Sequence, residues 1–596
     1  MSLVGPKNKL ANLFALLQSE FGAYRTPILG LSVLSFVGGL LEGIGINSVI
    51  PLFSFVNKSA TKGTDTISQT IEKFFSFFHL AYTLKTILIF IIGLFLVKAI
   101  IGFITTYISA KINTTYERNT RSGLFKLTLQ AEWPYLSQQK IGHLEQTLTT
   151  DVTNSSVLLS YLSGTMLTVA NLLVYILIAV NISPLIAALT SFVGIVVFFT
   201  FKPLFYRNRV VSQKVETTYK QLAHYVNEHM LGMKTIKATS SEAPIKEQAD
   251  IYFDQVKNLN ADVIAVRNLT NTLLQPIGLI FIIAIFSFFY KMTAFNFASF
   301  AVIVYAINKM FAYIQLAQSQ IHAMSSMVPY TKSIQNYREE VGKKKEKDMG
   351  AAEFTFNNTL EFKDVNFTYH RGEETLSHIS LNVKKGSMVG IIGPSGAGKT
   401  TLVDLLLRLL PVSGGRILLD GKDIQEIRLK EWRKSIGYVS QDMFLINDTI
   451  ENNIKFYNPA ITHDEVIAAA KLANLHEFIE QQPEGFATVI GERGISVSGG
   501  EKQRIILARI LARQPQILIL DEATSALDNE SEALIQRAIE RLKGNMTIII
   551  IAHRLSTIKT VDTLVALENG KVREQGTPEE LLKDKNSYFF RVYNVR

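Results

Sequence analysis

Six long apolar stretches within residues 1–315 constrain the fold of this chain more than any other feature. Each is close to or above the roughly 20 residues that an α-helix needs to cross a bilayer. We place them at Ile28–Val56, Thr86–Ile108, Leu158–Val180, Pro184–Phe205, Leu273–Tyr290 and Phe297–Gln315. Ahead of them, Lys9–Tyr24 has apolar residues at helical spacing, which predicts an amphipathic helix on the membrane surface or, alternatively, a helix facing a protein core.

The polar segments between these stretches alternate in length and charge. The short or modest ones are Asn57–Lys85, Asn181–Ser183 and Lys291–Asn296, and the long ones, rich in lysine and arginine, are Ala110–Ser156 and Tyr206–Thr272. Because positively charged loops stay in the cytoplasm, the long segments are predicted to be cytoplasmic, and so are both termini, since the number of spans is even. The spans themselves are predicted to cross the inner (plasma) membrane. The helices are expected to continue into the cytoplasm and to turn at cross-helices near Glu132–Gln139 and Tyr225–Met233. These turns are suited either to docking another domain or to packing within one subunit.

Composition narrows the class of protein further. Hydrophobic residues make up 47% of the 596 residues and charged residues only 19%, which is unusual for a soluble enzyme of this size. The net charge of +10 lies largely beside the apolar stretches and in the segment after them, as at a cytoplasmic membrane face, so we predict no nucleic-acid partner. The chain has no cysteine, which excludes disulfides and thiolate metal sites.

Three ionisable residues lie near the middle of apolar stretches, where a charge is costly. They are Glu42, Lys98 and Lys309. Antiparallel neighbouring helices would bring Glu42 and Lys98 to a similar depth. We interpret the residues as a charge pair or as hydrated side chains facing a cavity, with direct contact to a substrate as the alternative. The first stretch also contains glycines and Pro51, which predict close helix packing or a kink.

A glycine-rich segment predicts a nucleotide site in the second half. It follows the apolar run Met388–Ile392, precedes the helical run Thr401–Leu410, and consists of Gly393, Pro394, Ser395, Gly396, Ala397, Gly398, Lys399 and Thr400. In this strand-to-helix setting the backbone N–H groups can surround the phosphates of a nucleoside triphosphate. Lys399 is then expected to reach the outer phosphates, and the Thr400 hydroxyl to bind Mg²⁺.

A second apolar strand, Ile517–Leu520, is followed by two carboxylates. Asp521 is placed to hold Mg²⁺ through water, and Glu522 to polarise the water that attacks the terminal phosphate of ATP. Further strands are predicted at Leu360–Tyr369 and Thr547–Ala552, which indicates a mainly parallel sheet with its strand ends near the phosphates. Tyr369, at the end of its strand, could stack on adenine.

With these residues in place, the whole chain resembles the ATP-binding-cassette (ABC) family. Val497–Glu501 is similar to the family's signature, in which Ser498, Gly499, Gly500 and Glu501 would contact ATP held by a second copy; glutamine is more usual at 501. The resemblance implies adenine stacking by Tyr369, sensing of Mg²⁺ and the membrane domain by Gln441, and contact of His553 with the γ-phosphate. It also implies that Asp528 signals across the dimer, that Thr401 belongs to the ATP site, and that Gly491–Gly494 meets the cross-helices of an exporter.

The resemblance also predicts the domain plan. Residues 1–27 would form an N-terminal elbow helix, 28–330 a transmembrane domain with six helices of the ABC exporter type, 331–355 a linker, and 356–596 an α/β nucleotide-binding domain. Six stretches before one nucleotide domain resemble half-transporters, so we expect a homodimer with two composite ATP sites, or alternatively a heterodimer with a degenerate partner. The soluble cassette ATPases lack such stretches.

The substrate is the least constrained prediction. The segment Leu41–Phe53, with its acidic residue and proline, resembles the first helix of lipid-linked oligosaccharide flippases. We therefore expect an ATP-driven exporter or flippase of a lipid-linked saccharide or another amphipathic lipid. The alternatives are a multidrug or peptide exporter, or an ATP-gated channel or regulator of the same architecture.

Overall fold

The computed structural model describes residues 15–56, 66–289, 297–369, 372, 374–521, 528–551 and 558–595. The chain divides into two compact units between Lys345 and Glu346, with residues 132–134 grouped with the second unit. The first unit is helical, and the second combines two β-sheets with helices.

Long helices dominate the first unit. They are α1 (Arg25–Asn47), α2 (Val49–Val56), α3 (Thr66–Phe77), α4 (Leu84–Leu129), α5 (Trp133–Leu136), α6 (Ile141–Gln146), α7 (Val152–Ile182), α8 (Pro184–Leu231), α9 (Met233–Thr239), α10 (Glu242–Phe289) and α11 (Phe297–Lys343). Residues 15–21 are also helical, and a π-helical turn, Thr147–Asp151, joins α6 to α7.

Within the described part of the chain, five helical segments are long and apolar enough to cross a bilayer. They are Ala15–Leu52, Leu84–Leu129, Gly142–Ile182, Pro184–Leu231 and Phe300–Lys343, and a shorter apolar segment, Pro276–Phe288, lies at the fifth predicted span. Large apolar side chains on α4 are exposed, among them Leu96 (61%) and Phe103 (73%). Such a surface suits lipid and not water, and the predicted helical membrane domain is confirmed. Residues 290–296, at the end of the fifth span and in the loop after it, lie outside the described residues.

The first predicted span is interrupted as its glycines and Pro51 indicate. Helix α1 ends at Asn47 and α2 begins at Val49. On α1, a Cβ atom added to Gly39 would lie 2.7 Å from Asn171 Oδ1 and 3.2 Å from Val174 Cγ2. The backbone of α1 therefore lies directly against α7, which is the close packing that small residues permit between membrane helices.

The N-terminal helix packs on protein. In its described part, Leu16 and Phe21 are buried and Phe21 contacts Tyr116 of α4 edge-on, which favours the core-facing alternative. Arg338 of α11 donates hydrogen bonds to both carboxylate oxygens of Glu20 at 2.8 and 3.0 Å, and Tyr116 donates to Glu20 at 3.0 Å. A bidentate pair of this kind fixes both distance and orientation. Residues 9–14 of the predicted helix lie outside the described residues.

Two expectations about helix ends are corrected. A short helix, α5, lies in the predicted first cross-helix, but residues 225–231 belong to α8 and the second turn follows later, at 232–241. Gly232 is the first residue there that disfavours a helix, and the left-handed Ser240 (φ 52°) ends α9. Helix α11 also continues through residues 331–343, which we assign from sequence to a linker. The buried residues Tyr330, Ile334, Tyr337 and Val341 recur at helical spacing and hold this segment in the first unit.

The second unit contains ten strands in two sheets within its described residues. They are β1 (Thr359–Thr368), β2 (Glu374–Lys384), β3 (Met388–Ile392), β4 (Gly414–Leu419), β5 (Lys422–Asp423), β6 (Ile436–Val439), β7 (Ile517–Asp521), β8 (Thr547–Ile551), β9 (Thr563–Glu568) and β10 (Lys571–Gly576). The helices are α12 (Lys399–Leu406), α13 (Leu429–Lys434), α14 (Ile450–Lys455), α15 (His463–Leu472), α16 (His476–Glu480), α17 (Gly499–Leu511), α18 (Asn529–Leu542), α19 (Pro578–Lys583) and α20 (Tyr588–Val595).

The larger sheet has the order β10-β9-β3-β8-β7-β6, and only β10 runs antiparallel to its neighbour. The predicted mainly parallel sheet is confirmed. The predicted strand at Leu360–Tyr369 forms instead in the smaller, antiparallel sheet, β2-β1-β4-β5. In the larger sheet Ile551 pairs with Ile391 on one side and Asp521 on the other, so the carboxyl ends of β3, β8 and β7 are level. The last residues of these three strands therefore lie at one edge of the sheet.

Candidate functional site

The predicted phosphate loop lies between β3 and α12. Gly398 caps α12 in a left-handed conformation (φ 95°), and a Cβ atom there would contact Leu376 and lie 3.2 Å from the Thr375 carbonyl oxygen. Gly396 is also left-handed (φ 81°), with open space beside it. The left-handed φ values at 396 and 398 favour glycine, and the loop ends at the start of α12, where backbone N–H groups suit an anion.

The lysine of this loop is held over it. Lys399 is buried, and its Nζ donates hydrogen bonds to the carbonyl oxygens of Gly393 and Pro394 at 2.9 and 3.0 Å. Of the remaining predicted loop residues, Pro394, Ser395 and Thr400 are exposed, whereas Ala397 is buried. The ammonium group therefore lies against the loop itself, and its present acceptors can be exchanged for phosphate oxygens.

Tyr369 lies beside the loop helix, as an adenine-stacking residue must. It directly follows β1, its side chain is 50% exposed, and its hydroxyl is 3.3 Å from the Thr401 hydroxyl on α12. The ring of Phe367 meets it edge-on, with ring centroids 4.8 Å apart. One face of an ordered aromatic ring can thus accept a base.

Two carboxylates, Asp521 at the end of β7 and Asp404 on α12, lie close enough to interact. Asp521 ends β7 and is buried, and Tyr438 donates a hydrogen bond to its Oδ2 at 3.4 Å. Burial, together with the charge of Asp521, raises the pKa of Asp404 on α12 to about 6. The buried Asp521 and the half-buried Asp404 together create a negative potential that favours a hard cation such as Mg²⁺, so these residues fit the predicted metal.

Two predicted residues lie outside the described residues. In the sequence, Glu522 directly follows β7 and His553 comes two residues after β8. Gln441 is described: it is exposed two residues after β6, at the same edge of the sheet as Asp521.

The predicted signature forms the start of α17. Ser498 is the N-cap residue, its N–H donates to Glu501 Oε2 at 2.7 Å, and its Oγ accepts from the Glu501 N–H at 3.4 Å. A glutamate or a glutamine at 501 can close this capping box, which explains physically why either residue suits the position. Ser498 and Gly499 are exposed at the helix start, where the backbone N–H groups favour an anion.

Ser531, a residue that sequence reasoning missed, connects the signature to Asp528. Asp528 caps α18 and accepts a hydrogen bond from the Ser531 N–H at 3.1 Å. On the other side of Ser531 lies the buried Gly500, where an added Cβ would overlap the Ser531 side chain. The pattern of Asp528 and Ser531 three residues later is a capping signal in the sequence, but the contact with Gly500 depends on the fold.

In the first unit, the three intramembrane charges form one cluster. Lys98 Nζ lies 2.7 Å from Glu42 Oε2, Lys309 Nζ lies 3.4 Å from Glu42 Oε1, and the Tyr305 hydroxyl donates to Oε1 at 3.3 Å. The Glu42 side chain is 3% exposed, whereas those of Lys98 and Lys309 are 35% and 33% exposed. The predicted charge pair is confirmed and extends to α11. Two lysines against one carboxylate leave one net positive charge on the exposed side.

A second polar feature lies farther along α11, between it and α8. A cavity of about 370 Å³ is lined by charged residues of α8 and α11, among them Arg209, Glu216, Lys220 and Lys332. Lys220 Nζ lies 2.9 Å from Glu216 and 3.4 Å from the buried Asp151. Asp151 and the α8 residues of this cavity belong to the segments predicted to be cytoplasmic, so polar groups are buried both there and at the level of Glu42.

Family comparison matches both halves of the chain. The model described as "ABC transporter transmembrane region" matches residues 32–316, and the model described as "ABC transporter" matches residues 376–525. The second match contains the phosphate loop, the signature and Asp521.

Individual relatives cover most of the chain. The "ATP-dependent lipid A-core flippase" of Haemophilus influenzae (strain 86-028NP) is 31% identical over 524 residues, 85% of this chain and 87% of that protein. The "Putative multidrug export ATP-binding/permease protein YgaD" of Bacillus subtilis (strain 168) is 34% identical over 434 residues, 70% of this chain and 74% of that protein. A solved bacterial Atm1-family ABC exporter with ATP bound shares the fold, with a TM-score of 0.79 over 96% of this chain and 99% of that chain at 22% identity.

Proposed function

Because this chain belongs to the ABC transporter family and is an ABC exporter that couples ATP hydrolysis to transport, we propose that it moves an amphipathic lipid across the inner (plasma) membrane. A lipid-linked oligosaccharide is the first candidate substrate. The relative named as a lipid A-core flippase supports a lipid, and the resemblance of Leu41–Phe53 to oligosaccharide flippases supports the linked sugar.

The charge cluster at Glu42 is the observation that carries this proposal. A lipid with a polar head needs a polar interior for the head and an apolar surface for the chains. Glu42, Lys98 and Lys309 supply the first, and the exposed apolar side chains of α4 supply the second. The net positive charge of the cluster suits an anionic head such as a phosphate or pyrophosphate.

ATP hydrolysis is assigned to the residues at the sheet edge. Lys399 and the backbone of 393–398 would hold the phosphates, Tyr369 the adenine, and Thr400, Gln441 and Asp521 the Mg²⁺. The metal would neutralise charge on the transferring phosphoryl group. Glu522 would orient the attacking water, and His553 would contact the γ-phosphate. This chemistry needs positioning and charge neutralisation and no covalent intermediate.

The working unit is proposed to be a homodimer. One chain has one phosphate loop and one signature turn, so two copies facing each other form two composite sites that include Ser498, Gly499, Gly500, Glu501 and Asp528. ATP binding would then draw the two nucleotide domains together, turn the membrane cavity from inward-facing to outward-facing, and hydrolysis would reset it.

A multidrug exporter is the second candidate, favoured by the name of the Bacillus subtilis relative. A drug binds through apolar and aromatic contacts, so the charge cluster would then stabilise the helices and would not select the substrate. The two candidates differ in whether stimulation of ATP hydrolysis depends on the lysines of the cluster.

The decisive experiment is reconstitution in liposomes, with ATP hydrolysis and transport measured for a polyprenyl-pyrophosphate saccharide, for phospholipids and for cationic drugs. Lys399→Ala is the inactive control. The proposal predicts stimulation by the lipid-linked saccharide or another anionic lipid, and loss of that stimulation in Lys98→Gln/Lys309→Gln with basal hydrolysis retained. Stimulation by drugs alone would favour the multidrug exporter, and ATP-gated conductance without uphill transport would favour a channel.

A further inference from the structure

The starts of α17 and α18 meet at Gly500 and Ser531. Gly500 is buried at the second position of α17, and Ser531 is half-buried at the third position of α18. A methyl group built on Gly500 would overlap the Cβ and the hydroxyl of Ser531, whereas the Ser531 Cα would be 3.6 Å away, an ordinary contact distance. The side chain of Ser531 beyond its Cα is therefore what excludes any residue but glycine at 500.

Ser531 is tied to Asp528 at the same time. Its N–H donates to Asp528 Oδ2 at 3.1 Å, and hydrogen bonds from its hydroxyl and its N–H hold the pKa of Asp528 below its usual range. Ser498 stands two residues before Gly500 as the cap of α17. One serine thus contacts both turns that the composite ATP site would present to the nucleotide of the partner copy.

We infer that Ser531 is a positioning residue for ATP hydrolysis, which seats the Ser498–Gly500 turn against Asp528 so that both turns face the partner's nucleotide as one rigid surface. This inference rests on the composite site of the proposed function. It assigns the requirement for glycine at 500 to a contact within the same chain, and not to the space that the partner's nucleotide occupies.

Paired substitutions separate these explanations. Gly500→Ala is expected to lower kcat about 100-fold, since a displacement of about 1 Å at a reacting site has an effect of this size. The KM for ATP should change much less than kcat, because the loop 393–398, which would hold the phosphates, is untouched. In the Gly500→Ala background, the second substitution Ser531→Gly should raise kcat at least about tenfold, because the overlapping atoms are gone. Adding Ser531→Ala should restore nothing, because alanine keeps the Cβ. Ser531→Gly and Ser531→Ala alone provide the baselines.

Folding is followed by the melting temperature of each full-length variant. If Gly500→Ala lowers the melting temperature, adding Ser531→Gly should raise it again, whereas adding Ser531→Ala should not. That result would support the contact between residue 500 and the Ser531 side chain. Equal inactivity of both double variants at parental melting temperatures would overturn the inference in favour of space for the nucleotide. Equal recovery in both would overturn the role of the Cβ.

The composite ATP site, on which this inference rests, is tested separately with Ser498→Ala. If the parent protein and Ser498→Ala hydrolyse ATP at the same rate, the composite site itself is wrong. If hydrolysis requires Ser498 but Ser531→Gly restores nothing to Gly500→Ala, only the role of Ser531 is wrong.

Discussion

Glu42 is the residue on which the interior of the membrane domain depends. It is nearly fully buried between two ammonium groups and a tyrosine hydroxyl. Removing one member of a buried charge cluster leaves the others without compensation, an effect that water moderates here because both lysines are about one-third exposed.

Replacing Glu42 with Gln should therefore lower the free energy of unfolding by about 1–2 kcal/mol. It should also lower substrate-stimulated ATP hydrolysis roughly tenfold, because the two lysines then repel each other without a carboxylate between them. Hydrolysis and transport are measured in the same liposomes, with the exposed Glu247→Gln as the matched control. Unchanged transport together with unchanged basal hydrolysis would remove Glu42 from the mechanism.

Tyr369 offers a separate test of the nucleotide site. Tyr369→Ala should raise the KM for ATP about tenfold with little change in kcat, since stacking of a base on an aromatic ring contributes roughly 1–3 kcal/mol. Tyr369→Phe should keep the parental KM, because it loses only the hydroxyl near Thr401. An equal rise in KM in both variants would show that the hydroxyl, and not the ring, matters.

Residues with local signals could be predicted from sequence, and residues that depend on the fold could not. The loop from Gly393 to Thr400 and the acid at Asp521 are marked by their own strand and helix context. Ser531 has only a capping pattern, and its contact with Gly500 arises because two helices start at the same place. The cluster at Glu42 could be predicted because charges inside apolar stretches are rare.

At the scale of elements, the spans were predictable and their ends were not. Hydropathy locates the part of a helix in lipid, but α8 and α11 continue beyond it in polar sequence. Residues 330–341 retain helical spacing of buried residues, yet the lysines after them favoured a linker. Pro329 lies inside α11 without ending it, although an interior proline removes a helical hydrogen bond and kinks or breaks many helices.

The packing of α1 against α7 can be tested with two glycines of one helix. Gly39→Ala should lower the free energy of unfolding by about 1–3 kcal/mol, because its methyl group meets Asn171 and Val174. Gly30→Ala is the matched control on α1, since nothing lies within 4 Å of its Cβ, and it should be neutral or slightly stabilising. Thermal unfolding in detergent distinguishes them. Equal effects of both substitutions would contradict the close approach of the two helices.

For the whole molecule, the motifs predict which parts exist, and the resemblance to the ABC family implies how two copies complete each other. A half-transporter has one phosphate loop and one signature turn. Within one chain, Ser498 and Glu501 form a capping box that fixes this turn. If each ATP site combines the loop of one copy with the signature of the other, defects in the two parts are separable between copies.

Mixing two inactive variants tests this arrangement directly. Lys399→Ala removes the phosphate contact and keeps the signature, whereas Ser498→Ala keeps the loop and removes the signature contact. In a mixed dimer, one site combines the intact loop of the second variant with the intact signature of the first.

With equal co-expression, half of the dimers are mixed, and each mixed dimer has one competent site of two. Hydrolysis should therefore recover to about a quarter of the parental rate. Each variant alone should stay inactive, and a Lys399→Ala/Ser498→Ala chain mixed with either should restore nothing. No recovery at any mixing ratio would mean that each chain completes its own site, and the proposed coupling of dimer closure to the membrane helices would fall with it.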